Sequence, residues 1–249
     1  MTPDEMKTGD SSEGGVPLAD STPTDSTTVT LKRNSDLGVR AVSGVVMIAV
    51  AVAALWAGGW VFAALTLAAA AAMLWEWHGI TGKMPLTSFA HGGWLTGGFL
   101  YVALGVLSLF LVREALGFAG ALWLMATVWA TDIGAYFAGR TIGGPKIAPA
   151  ISPSKTWAGL IGGMVAAGLV SWLIGRWIGS DASLFKLGAP MAVLAQMGDF
   201  FESWMKRRAG VKDSSALIPG HGGVLDRLDG LLPVAIAIGA ILWFAGSPA

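Results

Sequence analysis

Residues 199–230, DFFESWMKRRAGVKDSSALIPGHGGVLDRLDG, set five carboxylates (Asp199, Glu202, Asp213, Asp226, Asp229) beside five permanent cations (Lys206, Arg207, Arg208, Lys212, Arg227). Carboxylate oxygens in this density gather a hard divalent metal, Mg²⁺ above all, while cations and glycines suit a polyphosphate. Asp199, Glu202, Ser203 and Lys206 stand at i, i+3, i+4 and i+7. On a helix they share one face, so two carboxylates, a hydroxyl and an ammonium converge. Asp226 and Asp229 repeat the i, i+3 spacing. Between the two acidic pairs, Pro219-Gly220-His221-Gly222-Gly223 has lost most of its side chains, and glycine lets backbone come close to a ligand. With Asp226 and Arg227 just beyond, the turn reads as phosphate-facing. A solvated helix end and a flexible surface turn would use similar residues. Against that, Asp199 closes an apolar run, where a lone charge is disfavoured. Zinc is a poor match, because the chain has no cysteine and His221 stands alone in its loop.

Two further features lie upstream. Asp132 falls inside the apolar run ALWLMATVWATDIGAYFAG. A carboxylate at membrane depth costs at least about 2.5 kcal/mol and usually faces a partner or a wet cavity. The loop that follows, GRTIGGPKIAPAISPSKTWAG, offers Gly143, Gly144, Lys146, Ser152, Ser154, Lys155 and Thr156. Freed backbone N–H groups, hydroxyls and a lysine make an anion site, strengthened if the next helix starts near Ser154. The spacing is not that of a Walker A loop.

What must position these groups is mostly hydrocarbon. Apolar residues make up 54% of the 249-residue chain and charged ones 13%, against about 25% charged in ordinary soluble domains. Apolar runs near 41–57, 59–77, 94–112, 119–139, 157–179, 187–201 and 231–247 approach the ~20 residues that cross a bilayer. The fold class expected is therefore all-α, a polytopic transmembrane bundle of about seven spans, range five to nine. Gly58-Gly59 parts the first two runs and implies a tight helical hairpin. Lys32, Arg33 and Arg40 before the first span place the N-terminus in the cytoplasm. Alternation then puts loops 140–156 and 203–230 inside, with only Arg113, Arg176 and Lys186 among the 16 Lys and Arg outside. Residues 1–30, polar and acidic without an apolar period, read as a disordered tail rather than a signal peptide. The organisation expected is that tail, membrane helices over 31–118 and a catalytic membrane domain over 119–249. The 12 tryptophans read as belt and packing residues, so no nucleic acid partner is expected.

Ser203 to Asp229 resembles the signature of the phosphatidate cytidylyltransferases, S-x-x-K-R-x4-K-D followed by P-x-H-G-G-x-x-D-R-x-D, with every fixed position met. Gln196–Ser203, Thr131–Arg140 and Ser152–Gly159 are also similar to segments of that family. The chain departs from it at Ala158, where Glu is usual, and at Gly230, where Ser is common. The resemblance implies an enzyme joining CTP and phosphatidic acid into CDP-diacylglycerol and pyrophosphate. By the same resemblance Asp199 and Asp226, with Glu202 beside them, would hold Mg²⁺, and K⁺ is an optional companion. Ser152, Lys155, Thr156, Lys206, Lys212 and Arg227 would hold phosphates, with Asp132, Ser203, Asp213, His221 and Gly222 at the substrate and Asp229 in the catalytic group. A homodimer embedded in the inner, plasma membrane is the implied setting. Two alternatives differ in pattern. The CDP-alcohol phosphatidyltransferase motif fails after Asp229-Gly230, and a transporter would scatter its buried charges over several spans.

Overall fold

The computed structural model describes residues 26–179 and 183–246, with side-chain surroundings from Gly38 onward. The tail expected over 1–30 lies outside the described residues as far as Asp25, and from Ser26 the chain is already helical. Helix α1 (Ser26–Ala57) and α2 (Gly59–Thr81) join at Gly58, whose φ of 63° only glycine adopts cheaply. The predicted hairpin is thus built on the predicted residue. Arg113 closes it by donating from Nε to the Leu55 carbonyl at 2.8 Å, a cation on the C-terminal end of α1.

Helix α3 (Ser88–Thr141) is 54 residues long and breaks at Gly117 (φ 66°, ψ −167°). Before the break, Gly105 lies against Leu232 and Ser108 against Gly239, so this arm runs parallel to α7 (Leu231–Gly246). After it, Thr127 bonds Ser171 at 3.1 Å and Gly139 abuts Thr156, so the second arm runs antiparallel to α4 (Trp157–Trp177). The chain therefore reverses at Gly117. Helix α5 (Ser183–Arg208), the short α6 (Leu225–Leu228) and α7 complete the order. With α3 counted as two arms, each of the seven apolar runs is a helical segment. Gly38–Ala57 of α1, α2, α3 and α4 are each long and apolar enough to cross a membrane; α7, at 16 residues, is shorter. The protein is a polytopic helical membrane protein.

Its surface and interior are arranged for a hydrocarbon solvent. Trp60 and Phe89 are more than nine-tenths exposed, whereas Thr66, Thr81, Thr127 and Ser171 are buried. The buried threonine hydroxyls return to carbonyls one turn back, as at Thr66 (2.9 Å to Phe62), because lipid offers them no partner. Small residues bring α3 and α4 into backbone contact, as the sequence suggests: a Cβ on Gly134 would sit 2.7 Å from the Gly162 carbonyl, and one on Gly162 would sit 2.2 Å from Ala138 Cβ.

The 140–156 loop is not purely irregular: β1 (Lys146–Ala148) pairs antiparallel with β2 (Ser152–Thr156), with Lys146 opposite Thr156. Pro149 presets the turn, and Ile151 N–H bonds Ala148 O at 3.1 Å across it. Helix α4 accordingly begins at Trp157, not near Ser154. Thr156 is its N-cap, accepting from Gly159 N–H at 3.0 Å.

Candidate active site

A cavity of about 1180 Å³ opens where α5, α6, the β hairpin and the second arm of α3 meet. Its walls include Asp132, Lys155, Thr156, Asp199, Glu202, Lys206, Asp213, His221, Asp226, Arg227 and Asp229, so most of the residues singled out from sequence converge. Ser152 and Lys212 do not line it. Ser154, one pleat on from Ser152, does, along with Arg140 and Lys146. The far arm of the cavity is apolar, walled by Met47, Val50, Leu65, Ala68, Ala72 and Met125.

The strands aim Lys155 across the cavity onto Asp199, with which it forms an ion pair, and its ammonium lies 4.7 Å from the Phe200 ring centre. Ser203 donates to Asp199 Oδ1 at 3.2 Å, so its hydroxyl serves the acid from the next turn of α5. Thr156 is buried, and its hydroxyl is the α4 cap described above. The hydroxyl accepts the cap bond from Gly159 N–H, so Thr156 positions α4 while lining the cavity.

The shared face of α5 is confirmed: Lys206 Nζ reaches back to Glu202 Oε2 at 2.9 Å and across to Asp226 Oδ1 at 2.6 Å. Asp226 also accepts from Ser214 N–H (2.9 Å to Oδ2), Ser214 Oγ (2.9 Å) and Gly223 N–H (2.8 Å). Burial alone would push this carboxyl up, but the donors from Lys206 and Gly223 outweigh it and bring the pKa down to about 2. Asp229 behaves oppositely: burial and the charges of Asp199 and Asp132 push it up to about 7. The acids around the cavity thus repel one another where no lysine intervenes.

The glycine turn is docked, not free. Gly220 and Gly222 have φ of 75° and 82°, which fold Ile218 N–H onto Gly222 O at 2.8 Å. His221 Nδ1 and Ser43 Oγ of α1 lie 2.8 Å apart, and Arg227 Nε donates to the His221 carbonyl at 3.1 Å. A Cβ on Gly222 would meet Asp226 Oδ2 at 2.6 Å, so glycine is what allows this acid under the turn.

The sequence reading missed Glu76. It is 1% exposed on α2 and takes four hydrogen bonds, from Ser215 Oγ (2.6 Å), Val224 N–H (2.9 Å), Ser214 Oγ (3.1 Å) and Leu225 N–H (2.6 Å). The signal was present, because Glu76 sits in the apolar run 59–77 as Asp132 sits in its own.

Does this donor set suit Mg²⁺? Among the described residues no three acids or imidazoles form a preassembled ligand cluster. The expected trio Asp199, Asp226 and Glu202 is interrupted by lysines: Lys155 covers Asp199 and Lys206 stands between the other two. Yet Mg²⁺ asks for only one or two carboxylates, the rest being water and phosphate oxygen. Asp132 accepts no hydrogen bond among the described residues and faces the cavity, and Glu202 Oε1 is buried without a partner. All-oxygen donors, mutual repulsion and an orphaned carboxylate oxygen fit a hard dication.

Residues 83–245 match the model of the cytidylyltransferase family, a span that runs from α3 into α7 and includes the charged residues lining the cavity. A protein of Rickettsia bellii named phosphatidate cytidylyltransferase is 36% identical over 215 residues, 82% of this chain and 90% of that protein. The chain belongs to the cytidylyltransferase family. Proteins of the same name as the Rickettsia relative in Brucella suis (45% identical over 159 residues, 62% of this chain) and Helicobacter pylori (39% over 148, 59% of this chain) are matched over 57% and 55% of their own length. The chain thus spans about half the length of those curated relatives. Within the cytidylyltransferase family match fall Asp132, Lys155, Asp199, Lys206 and Asp226, whereas Ser43 and Glu76 lie before it.

Proposed function

We propose that this protein is a phosphatidate cytidylyltransferase, joining CTP and phosphatidic acid to give CDP-diacylglycerol and pyrophosphate. The observation that carries the reading is the two-ended cavity, with acids and cations at one end and an apolar arm between α1, α2 and α3 at the other. A ligand that is part polyphosphate and part hydrocarbon matches both ends. Family membership supports the cytidylyl donor, and the names of the relatives support the lipid acceptor.

The nucleophile in this reading is an oxygen of the lipid phosphate, anionic near neutral pH because the second pKa of a phosphomonoester is about 6. It bonds to the α-phosphorus of CTP as the bond to the β-phosphate oxygen breaks, and pyrophosphate carries away the electron pair. No strong base is required. The obstacle is repulsion between two anions. Bound Mg²⁺, which Asp199, Asp226 and Glu202 would hold with Asp132 and Asp229 at hand, supplies charge neutralisation at the phosphates. Lys155 and Lys206, now on carboxylates, and Arg140, Lys146 and Arg227 at the rim, hold and orient phosphate oxygens. Ser154 is the hydroxyl of the β hairpin placed to bind them, in preference to Ser152. The apolar arm excludes water from the reacting end.

The positive-inside pattern supports cytoplasmic placement of loops 140–156 and 203–230 at the inner, plasma membrane, with the 119–249 region as the catalytic part. A homodimer, and K⁺ beside Mg²⁺, complete the proposal. The test is incubation of purified protein with labelled CTP and phosphatidic acid. Lipid-extractable label that vanishes on chelation and returns with Mg²⁺ is expected. Label formed equally fast in EDTA overturns the metal role, and none under any condition overturns the function.

A further inference from the structure

Glu76 is remote in sequence from every acid of the signature, yet it touches both edges of the loop that carries Asp226. Its Oε1 receives Ser215 Oγ and Val224 N–H, and its Oε2 receives Ser214 Oγ and Leu225 N–H. Three of these donors serve Glu76 alone, and the single Ser214 hydroxyl proton is shared with Asp226, so the loop supplies nearly all of the carboxylate's hydrogen bonding. The same Ser214 hydroxyl lies 2.9 Å from Asp226 Oδ2, and Gly223, whose N–H also bonds Asp226, runs directly beneath Glu76. A Cβ on Gly223 would stand 2.4 Å from Glu76 Oε1 and 2.0 Å from Ser214 Oγ. Two carboxylates thus bond the same loop and share its Ser214 hydroxyl.

We infer that Glu76 is a positioning residue: it is the template on which residues 214–225 close, and it sets the place of Asp226 through Ser214 and Gly223. This rests on the proposed transferase reading for its kinetic consequence, not for its structural one. Glu76 touches no substrate-facing surface, since it is buried and is not a cavity wall. Its loss leaves the Leu225 and Val224 N–H groups unpaired and frees both edges of the loop at once. A template differs from a simple anchor in what it does at a distance. An anchor protects only the amides it holds; a template also protects the Ser214 amide, which bonds Asp226 and not Glu76.

The experiment compares wild type, E76Q and S215A in detergent by hydrogen exchange resolved to Ser214, and by steady-state kinetics. Ser215 touches Glu76 but not Asp226, so S215A perturbs the template alone if E76Q fails to fold. Exchange at Ser214 should quicken at least about tenfold in either variant, the loss of roughly one hydrogen bond. In kinetics, kcat should fall about 10²-fold in E76Q with the phosphatidate KM within about twofold, as for a misplaced catalytic group. Ser214 protection unchanged while Val224 and Leu225 lose theirs overturns the inference, as does a wild-type kcat in folded E76Q; if E76Q does not fold, unchanged Ser214 exchange in S215A overturns it. A wild type without turnover sinks the transferase reading instead, and exchange still decides the role of Glu76.

Discussion

Lys206 and Asp226 are 2.6 Å apart although 20 residues separate them, and the same ammonium lies 2.9 Å from Glu202. This single cation fastens α5 to α6 and keeps two buried acids from facing each other bare. Lys206→Met should lose turnover and destabilise the fold by about 3–5 kcal/mol, the usual cost of stranding one side of a buried ion pair. Thermal unfolding in detergent, followed by tryptophan fluorescence, reads the second effect. An unchanged transition would mean that Glu202 and Asp226 find other partners.

Asp226→Asn keeps the shape of the side chain but presents an NH₂ to groups that donate. Ser214, Gly223 and Lys206 all offer protons to this carboxylate. The loss of charge-assisted bonds, about 1.5–3 kcal/mol each, should loosen the loop as well as remove the charge proposed to hold Mg²⁺. We expect turnover below about one-hundredth of wild type with membrane insertion intact. Wild-type turnover by D226N would exclude Asp226 from the reaction.

Gly223→Ala tests close packing directly, since its Cβ would overlap Ser214 Oγ and Glu76 Oε1. The expected outcome is a turnover loss comparable to that of E76Q. Gly210→Ala is the control: it has a φ of 69° but open space around it, so it should cost strain without touching the site.

Asp229 gives a pH dependence. Its folded pKa, about 7, lies above the ordinary 3.8, because burial and neighbouring negative charge disfavour ionisation. A raised carboxyl favours the folded state fully below the unfolded value and loses that contribution as pH rises through the folded one. In EDTA the melting temperature should fall as pH rises from about 4 to about 7 and level off above that, and Asp229→Asn should flatten the slope. A slope identical in wild type and variant would assign the titration elsewhere.

Loop placement can be read by labelling, because the chain has no native cysteine. Ser215 is tied to Glu76, so Leu217, 52% exposed, is the better site. Leu217→Cys should react with a membrane-impermeant maleimide only from the cytosolic side. Reaction from outside would invert the proposed topology.

Much of this was legible from residue types alone. Gly58 at the hairpin and the i, i+4 pairing of Glu202 with Lys206 follow from local rules, and Asp132 at the cavity from the cost of a charge at membrane depth. What was hidden depended on tertiary reach. Nothing in the sequence pairs Lys206 with Asp226, or Ser43 with His221 across 178 positions, because helix packing creates those neighbours. The β hairpin escaped because three residues between prolines give too short a period to read, and with it went the choice of Ser154 over Ser152. Glu76 is a different case. The rule that marked Asp132 applied to it equally, but it stands outside the signature that drew attention.

The contact of α3 with α4 through Gly134, Gly139, Gly159 and Gly162 leaves only small groups, the Ala138 and Ala166 methyls and the Thr156 hydroxyl, between two backbones. Rods touching so closely cannot slide or roll past one another without collision, so the α3–α4 wall bearing Asp132 behaves as a fixed anvil. On the proposed transferase reading, lipid entry and exit are expected on the opposite side, along α1, whose outward face (Val42, Val45, Val46) is more than half bare. Bulk added along that helix should slow the passage of lipid while leaving the bond-making step alone.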